Sequence, residues 1–269
     1  MVWLRCFICC LVLGALAPGS RAAEASVYLE ELTSPEVSAA IRSGSTTILL
    51  PVGGTEQNGP HMVLGKHNVR ARVLAGRIAR QFGPALVAPV LPYVPEGQIN
   101  PPTEHMRFAG TISVPDAAFR SILDAAARSF RQHGFRDVVL LGDSGNYQTS
   151  LRAVVERLNR DWAGTGVRAH YLGAYYAATQ TAYLDTLRAR GLSPAQIGTH
   201  AGTADTALSL AVSPELVRTD LLAEAARAGR AAGTLGDPRP ATAALGQPGV
   251  DAIVQQSVAA IRQAVSAGR

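Results

Sequence analysis

The strongest constraint on the fold is an alternation of short apolar, β-branched runs with longer amphipathic stretches. The apolar runs cover 46–52 (TTILLPV), 85–90, 137–141 (DVVLL) and 167–172. Apolar spacing predicts helices over roughly 68–82, 115–133, 149–163 and 175–190. Pro115 suits a helix start, and Gly134 suits a C-terminal stop. Strand, helix, strand at this spacing demands parallel crossovers and a sheet covered on both faces, hence an α/β fold. The C-terminal part reads as Ala-rich helices over 220–232 and 250–267, separated by a Gly/Pro-rich loop at 233–249. No repeat or linker divides 26–269, which predicts one domain.

Residues 1–25 read as an export signal: Arg5 supplies the positive end, 6–17 is apolar, and cleavage options end at Ala22 or Ala25. Twelve apolar residues are too few for a comfortable membrane span, so no stable anchor is expected. Cys9 and Cys10 lack a convincing lipidation context. The expected destination lies across the inner membrane, in the periplasm. All three cysteines (Cys6, Cys9, Cys10) fall in this segment, so any metal in the remainder must be held by His and carboxylates. Hydrophobic residues make up 47% and charged ones 17%, which excludes disorder. Of 25 basic residues only Lys66 is lysine, and the arginines are scattered, which argues against a nucleic-acid partner.

In such folds ligands sit at the carboxyl ends of strands, and four polar segments fall there. The first, GGTEQNGPHMVLGKHN (53–68), carries Glu56, Asn58, His61, Lys66 and His67 among four glycines. The second holds Glu104 and His105, which read either as an entrance to a site or as an ordinary loop. The third, GDSGNYQ (142–148), puts Asp143 at a strand end. Ser144 lacks the G-x-S-x-G elbow of a serine hydrolase. The fourth, HAGTADT (200–206), sets His200 five residues before Asp205, which reads equally as a partner of a helix dipole.

In this order the segments resemble the creatininase (creatinine amidohydrolase) family. PVGGTEQNGPHMVLGKH is similar to its P-x-G-x-x-E-x-H-G-P-H-L-P-L-x-x-D motif, EHMRFAGTI to E-H-x-x-F-P-G-T-I, LGDSGN to N-G-H-G-G-N, and HAGTADTA to H-A-G-x-x-E-T-S. GDPRPATAALG, from Gly236, is similar to a late G-D-P motif. The resemblance implies a three-layer α/β/α sandwich, one or two divalent ions (zinc or manganese), hydrolysis of small amides by a metal-activated water, and often a homo-oligomer. Carried over by position, Glu56 keeps its ligand identity. Asn58 stands for a histidine, His67 for the bridging aspartate, Asp143 for the strand-end histidine, and Asp205 for a glutamate. Glu56, His67, Asp143 and Asp205 are therefore the expected ligands of one ion. His61 is expected to hold Glu56 or a ligand carbonyl, and Asn58, Glu104, His105 and Ser144 to lie around the site.

His200, with an ordinary pKa near ~6.5, is the expected proton shuttle. Lys66 is the expected partner of a substrate carboxylate or oxyanion, although a surface lysine is an equal reading. The sequence thus predicts an exported metal-dependent hydrolase of the C–N bond of an amide, cyclic amides included. Two other readings stay open: an inactive periplasmic binding or scaffold protein, motivated by Asn58, and a metal-dependent lyase or isomerase.

Overall fold

The β-branched runs form strands because side chains branched at Cβ pack well on a pleated, doubly covered surface. The computed structural model describes residues 26–267, and the expected export signal with its three cysteines lies outside the described residues. β1 (Thr47–Val52), β2 (Ala85–Val87), β3 (Asp137–Gly142) and β4 (Arg168–Tyr171) pair in parallel in the order β2-β1-β3-β4. β1 runs beside β3 from Thr47–Asp137 to Val52–Gly142. β2 stops at Val87 rather than 90, since Pro89 has no N–H to donate; one isolated bridge, Val52 to Leu91, continues the path.

The helices are α1 (Ser34–Arg42), α2 (Lys66–Phe82), α3 (Asp116–Gln132), α4 (Gln148–Asp161), α5 (Gly173–Gln180), α6 (Ala182–Ala189), α7 (Pro194–Ile197), α8 (Thr203–Val212), α9 (Leu222–Ala228) and α10 (Ala243–Ser266). Alternation along the strands divides the core in two. Ile48, Leu50, Val138 and Leu140 pack against Phe119 and Leu123 of α3 and Leu151, Val154 and Leu158 of α4. Leu49, Val139 and Leu141 face Leu74 and Ile78 of α2, Tyr175 of α5, and Val250, Ile253 and Val258 of α10. Each fully buried aliphatic side chain contributes about 1.5–3 kcal/mol. Two such faces hold the sheet between helix layers, giving the three-layer α/β/α sandwich that the resemblance implied.

Three helical stretches differ from expectation. That over 220–232 is α-helical only over Leu222–Ala228 and ends at Gly229 (φ +53°). The stretch 175–190 breaks at Thr181 (φ −124°, ψ −93°), where Thr179 and Thr181 hydroxyls donate to the Tyr176 and Ala177 carbonyls and compete with the helix ladder. The loop expected over 233–249 is shortened, because α10 starts at Ala243. Thr242 caps it by accepting from Leu245 N–H (3.2 Å). Pro248 inside α10 leaves the Ala244 carbonyl without its helical donor, and Arg190 Nη1 donates to it (3.2 Å). Among the described residues no helix is long and apolar enough to cross a membrane.

Candidate active site

Local chain geometry gathers the polar segments at the carboxyl edge of β1 and β3. After β1 the backbone turns through Gly54 (φ +144°), whose missing Cβ leaves room for the Glu96 carboxylate (2.9 Å from a built Cβ). α2 opens at Lys66, so Lys66, His67 and Arg70 share one face of its first turns. The buried Tyr147 hydroxyl accepts from the N–H groups of Asp143 (3.1 Å) and Ser144 (3.0 Å) and donates to the Gly53 carbonyl (2.5 Å), tying the ends of β1 and β3 together. Asp205 lies in the first turn of α8, where Oδ2 accepts from Ala201 N–H (3.1 Å).

Three of the four expected ligands touch one another directly, and Asp205 joins them through Arg70 and Lys66. His67 lies between two carboxylates: Nε2 faces Glu56 Oε1 (2.9 Å) and Nδ1 faces Asp143 Oδ2 (2.5 Å). Asp143 also accepts from Arg70 Nε (2.9 Å) and Nη2 (2.7 Å) and, on Oδ1, from the Tyr175 hydroxyl (2.7 Å). Arg70 Nη1 donates to Asp205 Oδ1 (2.6 Å), and Lys66 Nζ donates to Asp205 Oδ2. Burial disfavours charge throughout this ring, yet the opposed partners win. Arg70 and His67 hold the Asp143 pKa low, and Lys66 and Arg70 hold Asp205 well below the usual range. Burial and Lys66 also oppose protonation of His67, but Glu56 and Asp143 raise its pKa. Three carboxylates thus face Lys66, Arg70 and the His67 imidazole.

Behind Glu56 stands Glu96, fully buried, with Oε2 accepting from Asn146 Nδ2 (2.8 Å). Burial, then the negative charge of Glu56, pushes the Glu96 pKa up to about 9, so it carries a proton at neutral pH. On the open side of Glu56 lie two histidines: His105 Nε2 is 3.5 Å from Oε2 and His200 Nδ1 is 3.7 Å from Oε1. Gln57 joins their far sides: its side-chain nitrogen lies 3.1 Å from His105 Nδ1 and 3.2 Å from His200 Nε2, and its main-chain carbonyl oxygen 2.9 Å from His200 Nε2. Glu56, His105 and His200 border a cleft of about 310 Å³ also lined by Ser144, Asn146 and Tyr176.

Glu56, His105 and His200 each offer one ligand atom, all within 4.8 Å of one another, and one carboxylate with two imidazoles is a donor set that suits zinc or manganese. A divalent ion fits these three residues. In the ring, by contrast, both oxygens of Asp143 and Asp205 and both nitrogens of His67 are already engaged.

Several roles expected from the sequence change. Lys66 is fully buried and its ammonium is spent on Asp205, with Glu56 Oε1 3.9 Å away, because a buried charge must be paired. His200 does not keep an ordinary pKa: burial and then Lys66 bring it down to about 4, leaving a neutral imidazole. His61 does not hold Glu56; its Nε2 pairs with Thr206 Oγ1 (2.9 Å), and burial lowers its pKa to about 4. Asn58 Nδ2 donates to the Glu56 (2.9 Å) and Val63 (3.1 Å) carbonyls, so it shapes the loop rather than facing the cleft. Glu104 is exposed and borders a separate recess with Gln98 and Asp116, because the turn Glu104–Arg107 sends His105 inward instead. Ser144 does line the cleft.

Arg70, Glu96 and Gln57 escaped the sequence reading. Arg70 had a signal, standing four residues after Lys66 on the same helical face. Glu96 had none, since a single glutamate between Pro95 and Gly97 resembles any loop acid.

The comparisons agree with this architecture. The family model described as creatinine amidohydrolase matches residues 30–261. The chain is 32% identical over 224 residues to a mycofactocin precursor peptide peptidase of Mycolicibacterium smegmatis, covering 74% of this chain and 78% of that protein. It is 30% identical over 200 residues to a creatinine amidohydrolase of Pseudomonas putida, covering 72% and 75%. A solved creatininase in its Mn form superposes with a TM-score of 0.73 at 27% identity, covering 89% of this chain and 98% of the other. The chain belongs to the creatininase family, whose members are metal-dependent amidohydrolases.

Proposed function

We propose that this chain is an exported hydrolase of a C–N bond in a small-molecule amide, working with one divalent ion held by Glu56, His105 and His200. The observation that carries the reading is the convergence of those three donors on a cleft of about 310 Å³, large enough for a small amide or a few residues of a peptide. When bound, the ion would polarise the amide carbonyl and acidify a water. Gln57 holds both imidazoles in place: its side-chain nitrogen lies 3.1 Å from His105 Nδ1 and 3.2 Å from His200 Nε2, and its main-chain carbonyl oxygen 2.9 Å from His200 Nε2. Asn146 and Ser144, at the carboxyl end of β3, offer polar groups for orienting a substrate. Glu96 keeps its proton beside Glu56, so Glu56 alone carries the negative charge there.

The peptidase relative favours a second substrate class, a short peptide. The test is turnover of cyclic amides and short peptides by the mature chain with zinc or manganese, in heavy-oxygen water. Label entering the carboxylate product, and its loss in His105→Ala, support the reading. No turnover of either class under both metals would leave a binding or scaffold protein, and unlabelled product would indicate a lyase or isomerase. Export is checked by cell fractionation and N-terminal sequencing, with a mature end after Ala22 or Ala25 expected.

A further inference from the structure

The family relationship leads one to expect a divalent ion among the residues at the positions of Glu56, His67, Asp143 and Asp205. In this chain those residues surround two cations of its own. Arg70 spans the gap between Asp143 and Asp205, donating to both (2.7 and 2.6 Å), and it is only 3% exposed. Lys66, fully buried, bonds Asp205 from the other side. His67 has a carboxylate oxygen at each ring nitrogen, 2.5 Å from Nδ1 and 2.9 Å from Nε2, and Arg70 Nη2 lies 3.3 Å from Nδ1, so both nitrogens are already engaged within the ring. Basic side chains in the first turns of a helix oppose its dipole. α2 carries them there with no acidic residue in its own first turn, so Asp143 and Asp205 supply the opposite charge.

We propose that the guanidinium of Arg70 and the ammonium of Lys66 take the place of a metal in this ring, closing it to divalent ions and limiting the chain to a single ion at Glu56, His105 and His200. The closure of the ring stands on these contacts alone; the single ion rests on the reading given under Proposed function. A divalent charge entering the ring would have to displace a guanidinium making charge-assisted bonds to two aspartates. Arg70 and Lys66 are thereby positioning residues: they hold Asp143 and Asp205, and through His67 they fix Glu56.

The test counts bound zinc and manganese in the full mature chain, by elemental analysis after gel filtration. Four proteins are compared: wild type, His105→Ala/His200→Ala, Lys66→Met/Arg70→Met, and the variant carrying all four substitutions. The expected counts are one ion, none, two, and one. Two ions in the wild type would overturn the proposal. So would an ion retained by His105→Ala/His200→Ala and removed by adding Asp143→Asn. A folded Lys66→Met/Arg70→Met variant that gains no ion would refute the claim that the cations bar the ring. Should that variant fold only when refolded with zinc, the metal requirement itself supports the proposal. No ion in the wild type, together with a gain in Lys66→Met/Arg70→Met, would uphold the closed ring while rejecting the Glu56–His105–His200 site.

Discussion

Glu96→Gln should stabilise this protein, and by an amount that grows with pH. In the folded chain Glu96 is fully buried behind Glu56, and its pKa rises from 4.5 to about 9. Between those values the folded state holds a proton that the unfolded state releases. For an acid whose pKa is raised on folding, stability is therefore lost as pH increases through this window, by about 1.4 kcal/mol per unit. From pH 4.5 to pH 7 the accumulated cost is about 3 kcal/mol. Glutamine is permanently neutral, nearly isosteric, and able both to accept from Asn146 and to donate toward Glu56. The assay is urea denaturation of both proteins in EDTA from pH 5 to pH 8. His61 and His200, with pKa values near 4, impose their own slope, but it is common to both proteins and cancels in the difference. The gap should widen from under about 1 kcal/mol at pH 5 to about 3 kcal/mol at pH 7. A constant offset from poor packing of the amide would shift the whole curve without changing its slope. Parallel stability curves for the two proteins would refute the reasoning, because Glu96 would then be ionised inside the fold.

Two further outcomes are expected from the same site. Asp143 and Asp205 have folded pKa values below their unfolded value of 3.8, so their contribution is present above that pH and is lost as pH falls through the folded values. The stability gap between wild type and Asp143→Asn should accordingly be wide at pH 7 and narrow below about pH 4 in acid-denaturation curves; a gap independent of pH would contradict the ion pairing. Tyr147→Phe removes the partner of two buried N–H groups and one carbonyl, and should cost about 2–4 kcal/mol in urea denaturation. A loss under about 0.5 kcal/mol would show that this hydroxyl does not join β1 to β3.

The sequence by itself determined the layers and the edge at which the site forms. Continuous apolar runs such as 46–52 and 137–141 must be buried on both faces, and the helical stretches between them force parallel crossovers, so the polar loops collect at one end. Motif spacing carried the resemblance and brought Glu56, His67, Asp143 and Asp205 into one neighbourhood. What the sequence could not show was who answers whose charge. Lys66 reads as a substrate-facing cation until α2 is seen to begin there and to turn the side chain onto Asp205. Arg70 is one of many arginines until the same helix places it between two aspartates more than seventy residues away along the chain. Glu96 acquires its proton, and His200 loses its own, only from burial beside Glu56 and Lys66 respectively. Local propensity and periodicity are short-range and readable along the chain, whereas desolvation and Coulomb energy depend on distances that only folding sets.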